Sequence, residues 1–78
     1  MQEQAVVFQA GDVVKVLEDV TAKDFEGHTV FLSSGTQGTV VEVAESEFQL
    51  EIECDVGSEL VVAVVQDDQV ELVRRERE

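Results

Sequence analysis

The chain has 78 residues, which is enough for one small hydrophobic core and not for two, so a single domain is predicted. Its 18 acidic residues outweigh five basic ones, giving a formal net charge of −13 at pH 7. Nucleic acids and anionic membranes are bound through Lys and Arg side chains that neutralise phosphates, so this charge argues against both as partners. Any charged partner should be basic or should bind through a cation.

The sequence also bears on location and cofactors. Cys54 is the only cysteine, so no disulfide forms within the chain, which fits a reducing compartment. No charged segment followed by an apolar one opens the sequence, and no apolar run approaches the length of a membrane span. We therefore expect a cytoplasmic protein. No catalytic constellation or known metal-site spacing is present, so we expect no enzyme activity and no cofactor.

The first half of the chain predicts one clear strand and one irregular stretch. Seventeen of the 78 residues are valine, and β-branched residues favour strands. In "DVVKVLE", alternation places Val14 and Val16 on one side of a first strand. Residues 18–34 follow, where "TAKDFEG" is compatible with one helical turn and "HTVFL" with a ragged strand.

The second half predicts strands separated by short turns. In "SSGTQGTVVEV", Gly35 and Gly38 give the backbone freedom of a tight reversal before a strand. Residues 45–55 form the next strand, followed by "ELVVAVV", a "QDDQ" turn and a last strand "VELV". This spacing predicts an all-β fold, a small antiparallel barrel of five to six strands that closes its own edges.

Three segments, "AGDVVKVLED", "GTQGTVVEV" and "QDDQVELV", resemble the signature positions of small SH3-like barrels. The same order occurs in photosystem I subunit IV, in the variable chain of ferredoxin–thioredoxin reductase and in KOW-type domains. The resemblance implies an N-terminal arm at residues 1–7, an SH3-like barrel at 8–73 and a charged tail at 74–78. It also implies a small accessory subunit without catalysis that binds a larger complex.

Differences between this sequence and those families argue against two of the functions that small SH3-like barrels have. The chain has no Trp and no Tyr, whereas SH3 domains that bind proline-rich peptides use grooves lined with aromatic side chains. Residues 1–73 hold sixteen acids against only Lys15 and Lys23, so the basic RNA-binding loops of KOW-type domains have no counterpart. We therefore expect neither proline-rich peptide binding nor RNA binding.

The segment "ESEFQLEIECD" places a ladder of carboxylates on one side of a strand and apolar residues on the other. The acidic members are Glu45, Glu47, Glu51, Glu53 and Asp55. Three interpretations remain open: a solvated face, a docking surface for a basic protein, and a site for cations. A row of this kind also resembles the phosphates of a nucleic acid, so an inhibitor that imitates nucleic acid is an alternative function.

The segment "ELVVAVV" lacks polar alternation. If Leu60, Val62 and Val64 fill the core, then Val61, Ala63 and Val65 lie outside and need a cover. The cover is predicted to be a partner protein or a second copy of the chain, with Ala5, Val6 and Val7 folding back as the alternative. These three outward residues, together with the acidic ladder, are the predicted partner-binding residues.

Two other features of the sequence bear on chemistry. Cys54 continues the inward set of the acidic strand and is predicted to be a buried, unreactive thiol. Asp24, Glu26 and His28 stand at every second position of a predicted loop, and an imidazole with two carboxylates can hold a divalent metal. A metal-binding or enzyme-associated subunit is therefore a further alternative. The leading hypothesis is a protein–protein interaction module that docks a basic partner or forms a homodimer.

Overall fold

A computed structural model describes residues 7–46 and 48–75, and in them the chain forms one curled antiparallel sheet. Its seven strands are β1 (Asp12–Val16), β2 (Val20–Lys23), β3 (Thr29–Leu32), β4 (Gln37–Val43), β5 (Gln49–Val56), β6 (Glu59–Gln66) and β7 (Val70–Arg75). The order across the sheet is β3-β2-β6-β5-β4-β1-β7. The helical content of the described residues is a single 3-10 turn at Asp67–Gln69. The prediction of an all-β antiparallel fold is confirmed, with seven strands instead of five or six.

Two strands, β2 and β3, lie in the stretch predicted to be irregular, and only β2 was not predicted. The ragged strand predicted in "HTVFL" is confirmed as β3, and it pairs with β2 from Val20 opposite Leu32 to Lys23 opposite Thr29. The helical turn predicted in "TAKDFEG" is wrong, because its first half belongs to β2. Its second half closes a hairpin in which the Asp24 carboxylate accepts the backbone N–H groups of Glu26 and His28, at 2.9 and 2.8 Å. An aspartate that bonds the backbone ahead of it favours a turn over a helix.

The sheet is a half-barrel with two edges. Among the described residues no hydrogen-bonded strand pair joins β3 to β7, so these two strands stand at opposite ends of the ladder. Each of these two edge strands therefore has one row of backbone N–H and C=O groups that the described ladder does not use.

No helix in the described part of the chain is long and apolar enough to cross a membrane.

The hydrophobic core lies on the inner face of the curled sheet. Leu50, Ile52 and Cys54 of β5 are at most 1% exposed, which confirms the predicted inward set of that strand with one exception. The exception is Phe48, which precedes β5 and is 63% exposed. From the other strands the core receives mainly valine, namely Val14, Val16, Val40, Val61, Val65 and Val70.

The predicted orientation of β6 is wrong. Val61, Ala63 and Val65 are 0–1% exposed and belong to the core, so these three residues form no outward docking surface. The cause is the register with β5, which places Cys54 opposite Val61, Ile52 opposite Ala63 and Leu50 opposite Val65. Directly opposite residues share one face of a sheet, so the buried side chains of β5 determine which side chains of β6 are buried.

The last strand extends beyond the predicted end of the barrel at residue 73. β7 runs to Arg75. The Arg75 guanidinium forms a two-pronged, or bidentate, ion pair with the Asp12 carboxylate, with Nε 2.8 Å from Oδ1 and Nη2 3.0 Å from Oδ2. The same Nη2 donates to the Val7 carbonyl at 3.1 Å, and Asp12 Oδ2 accepts the Gln9 amide at 2.9 Å. This cluster therefore ties both ends of the described chain to the edge of the sheet.

Candidate functional site

The outer face of β6 carries an apolar strip formed by Leu60, Val62 and Val64. Leu60 and Val62 are half-buried, whereas Val64 is 55% exposed. Val62 lies opposite Lys23 of β2 on one side and Glu53 of β5 on the other. A strand that is apolar on both faces normally has a cover on both, and the described residues leave this strip partly open.

A row of carboxylates borders the strip along β5. Glu51, Glu53 and Asp55 lie directly opposite Val64, Val62 and Leu60 respectively. Of the remaining predicted ladder, Glu45 is exposed in the turn before β5, and Glu47 lies outside the described residues. The structure therefore brings three of the five predicted acidic residues together, beside an apolar strip that the sequence had assigned to the core.

Two carboxylates face each other at one end of this surface. Glu42 of β4 is the register partner of Glu51, next to an irregularity in the β4–β5 pairing. Like charges directly opposite on neighbouring strands repel and destabilise a sheet. Neither side chain has a hydrogen-bond or ion-pair partner within residues 7–46 and 48–75. The pair thus forms an uncompensated focus of negative charge on the outer face.

A depression of about 220 Å³ lies at the same place. The two facing carboxylates lie there beside apolar and amide residues, and the lining residues are Glu42, Ala44, Gln49, Leu50, Glu51 and Val64. Lys and Arg side chains have an apolar stem and a charged end, so they match a site in which apolar surface adjoins carboxylates. Binding a long basic side chain is the chemistry that this geometry can perform.

Three of the four phenylalanines are exposed, and none of these three was predicted to be. Phe25 is 84% exposed in the β2–β3 turn, where it lines a second depression together with Leu60 at one end of the apolar strip. Phe31 of β3 is 77% exposed and Phe48 is 63% exposed. Alternation in "TVFL" was the available signal, because it places Phe31 on the same face as the polar Thr29.

The structure brings His28, Asp24 and Glu26 together as a turn. His28 Nδ1 lies 3.3 Å from Asp24 Oδ2 and 3.6 Å from Glu26 Oε1. The backbone N–H of His28, and with it that of Glu26, holds the pKa of the Asp24 carboxyl below its ordinary value. No group of three His, Cys, Asp or Glu side chains in the described chain is arranged to hold a metal ion. What the structure shows for these residues is closure of the β2–β3 hairpin.

Cys54 is a free thiol, 1% exposed, as predicted. Burial, and next the charge of Asp55, raises the pKa of this thiol above its ordinary value. The thiolate is the nucleophilic form of cysteine, so this environment opposes nucleophilic chemistry.

Comparison with known proteins adds no family assignment. No protein-family model, no curated protein and no solved structure matches the chain. The chemistry of the outer face is therefore the basis on which function is inferred.

Proposed function

We propose that the protein is a non-catalytic interaction module, or small accessory subunit, that docks a basic partner protein on the outer face of its sheet. The observation that carries this proposal is the placement of Glu42 directly opposite Glu51, both without a partner in the described residues, beside the exposed Val64. A Lys or Arg of the partner would lie between the two carboxylates and convert their repulsion into attraction.

The apolar strip and the acidic row have different roles in this proposal. Leu60, Val62 and Val64 supply apolar contact, which lowers the rate of dissociation. Glu51, Glu53 and Asp55 attract a basic surface over a distance and accelerate association, an effect that weakens as salt screens the charges. Because the strip is narrow, we expect a transient complex in which a few anchoring side chains supply most of the binding energy.

Docking of a protein is favoured over imitation of a nucleic acid because apolar side chains lie directly beside the carboxylates. A mimic needs a charged surface that a basic groove accepts in place of phosphates, whereas here each carboxylate of the row lies next to an apolar residue of β6. An apolar strip beside the acidic row fits a protein partner with both basic and apolar side chains.

We also propose that the fold is an SH3-like barrel and the location cytoplasmic. All-strand antiparallel architecture, curvature of the sheet and the three signature segments support the first proposal. The free, buried Cys54 supports the second, since such thiols are common where disulfides do not form.

The test is affinity capture from the source cell by the wild-type protein and two variants of equal charge. Glu42→Gln with Glu51→Gln should reduce capture of a basic protein at least about tenfold, because it removes both sides of the charge focus. Asp68→Asn with Glu71→Gln is the matched control, since it neutralises two exposed acids outside the facing pair, one in the 3-10 turn and one on the edge strand β7. Equal loss in both double variants would show that only net charge matters and would contradict a specific docking face.

A further inference from the structure

Within the described residues, one row of backbone groups at the end of the sheet has no strand paired to it. β3 is an edge strand, and its hairpin with β2 contains a hydrogen bond from the Asp24 amide to the His28 carbonyl at 3.1 Å. Hydrogen-bonded and non-hydrogen-bonded pairs alternate in an antiparallel ladder. Asp24 and His28 form a hydrogen-bonded pair, so Ala22 and Val30, two positions further along the ladder, form the next one. Val30 therefore directs its N–H and C=O toward β2, whereas Thr29 and Phe31 direct theirs to the free edge.

This edge lacks two of the features that keep other edges unpaired. Natural sheets protect their edge strands with charged side chains or proline. β7, the opposite edge, carries Glu71, Arg74 and Arg75, whereas β3 reads "TVFL" with neither a charge nor a proline. The β3 edge is also flanked by Phe31, which is 77% exposed on the outer face. An uncharged edge beside an exposed aromatic ring is a site for strand addition.

The charge distribution identifies the occupant. Of the seven strands in the described chain, only β2 and β3 contain no acidic residue. A second copy of a protein with a net charge of −13 is repelled by most of this surface, but not by β3, whose neighbour β2 contributes Lys23. A basic partner has no carboxylate on these two strands to pair with. The uncharged edge therefore fits another copy of this chain better than it fits the partner of the acidic face.

We infer that β3 pairs with β3 of a second copy, forming a two-fold dimer with one continuous sheet. With the axis at Val30, Thr29 of each copy lies opposite Phe31 of the other, and both pairs exchange their outward N–H···O=C bonds. The two Phe31 rings then stand diagonally across the junction on the outer face, within reach of each other. Only residues of β3 take part, so the interface is self-complementary.

The dimer is independent of the proposed docking function and would enhance it. Glu42, Glu51 and the apolar strip lie on β4, β5 and β6, away from the β3 edge, so both docking faces stay accessible. Two linked faces raise the apparent affinity for a partner that carries two basic segments. Because the shared strand is short and each chain is strongly negative, dimerisation should depend on concentration and tighten as salt rises.

The test is sedimentation of the full chain over a range of protein and salt concentrations. We expect a monomer–dimer equilibrium in the wild type that tightens with NaCl. Phe31→Lys should weaken it at least about tenfold, because it places like charges at the junction. Phe48→Lys is the matched control, with the same change of residue and charge at an exposed phenylalanine away from β3, and it should dimerise like the wild type.

A second variant and a second measurement keep the inference falsifiable. If Phe31→Lys does not fold, as judged by circular dichroism, Thr29→Lys places the charge at the other outward position of the edge. In the wild type, the Thr29 and Phe31 amides should exchange hydrogen slowly only at concentrations where the dimer forms. A strict monomer at high concentration and high salt overturns the inference. So does a dimer that is weakened equally by Phe31→Lys and Phe48→Lys.

Discussion

Asp12 is the one buried charged side chain in the described part of the chain, with 1% of its surface exposed. Burial on its own would raise the pKa of Asp12. The hydrogen bonds from Arg75 and from the Gln9 amide, together with the Arg75 charge, outweigh it and hold the pKa below the ordinary value. Asp12 is therefore ionised in the folded protein at neutral pH, and its stabilising contribution depends on the partner that β7 supplies.

Asp12→Asn should lower the free energy of unfolding by about 2 kcal/mol at pH 7, since a charge-assisted pair is lost while the partly exposed Arg75 can be hydrated. A lowered folded pKa means that the stabilisation is fully present above the unfolded pKa of about 3.9 and is lost as pH falls through the folded pKa. Urea unfolding at pH 7, 5 and 3 should show equal differences between wild type and variant at the first two and a smaller one at the third. A difference that persists undiminished at pH 3 contradicts this sign.

The control for this prediction is Glu71→Gln, which removes the exposed 3.8 Å pair with Lys15. Exposed pairs are worth little, so we expect a change below about 0.5 kcal/mol.

Gly38 has a different role from the one predicted by its place in "GTQG". Gly35 does adopt the left-handed backbone of a turn, with φ at +96°, but Gly38 lies buried inside β4. A Cβ at position 38 would stand 2.6 Å from Cys54 Sγ and 2.8 Å from the Glu53 carbonyl oxygen. The absence of a side chain is needed there for close approach of β4 and β5.

Gly38→Ala should therefore destabilise the protein by about 1–3 kcal/mol, because the added methyl group overpacks the junction of β4 and β5. Thermal unfolding measures the loss. Adding Cys54→Ala removes one of the two close contacts, so the double variant should lose less than the sum of the two single variants. Additive losses would mean that the two positions do not touch.

At the scale of elements, β6 shows what the sequence could and could not determine. Alternation in β5 was sufficient to predict that Leu50, Ile52 and Cys54 are buried. β6 carries apolar residues on both faces, so its own pattern leaves the orientation open. The turn after β5 could have indicated the orientation of β6. It consists of Gly57, whose φ is +64°, and Ser58, and it places Val56 opposite Glu59. Counting back from this two-residue turn pairs Cys54 with Val61 and gives the correct face.

Two other features, the strand β2 and the pair of Glu42 and Glu51, were not predicted, and both omissions have physical causes. The strand at Val20–Lys23 was missed because its four residues are followed by the Asp24 turn, whose local signals resemble those of a short helix. The carboxylate pair of Glu42 and Glu51 was not predicted as a site, because it depends on the pairing of two strands across an irregularity. Alternation along one strand carries no information about that register.

The orientation of β6 can be tested with adjacent valines. Val65→Glu should unfold the protein or destabilise it by more than about 3 kcal/mol, since Val65 is 1% exposed and a buried carboxylate there has no partner. Val64→Glu, at a position that is 55% exposed, should leave the fold intact with a loss of about 1 kcal/mol or less. Circular dichroism and urea unfolding report both. A larger loss of stability in Val64→Glu than in Val65→Glu would support the orientation predicted from the sequence, with Val64 in the core and Val65 outside.

At the scale of the whole molecule, the charge of −13 is concentrated on a chain whose Cα radius of gyration is 12.4 Å. Charges of one sign at such distances repel in the compact state and are relieved by unfolding, so the net charge opposes folding. Added salt screens this repulsion, with a Debye length that falls from about 30 Å at 0.01 M to about 3 Å at 1 M. The two-pronged ion pair of Asp12 and Arg75 is largely shielded from solvent on the Asp12 side and should be screened much less.

Stability should therefore rise with NaCl. If screening contributes about 1 kcal/mol, the melting temperature should increase by about 4–8 °C between low and high salt, given the entropy of unfolding of a domain this size. Because dimers also stabilise the folded state by mass action, the measurement belongs at low protein concentration and is repeated with Phe31→Lys, which should show the same increase. Choline chloride in place of NaCl separates general screening from binding of a particular cation. A melting temperature that stays constant or falls with salt would mean that the local pairs outweigh the repulsion among the exposed carboxylates.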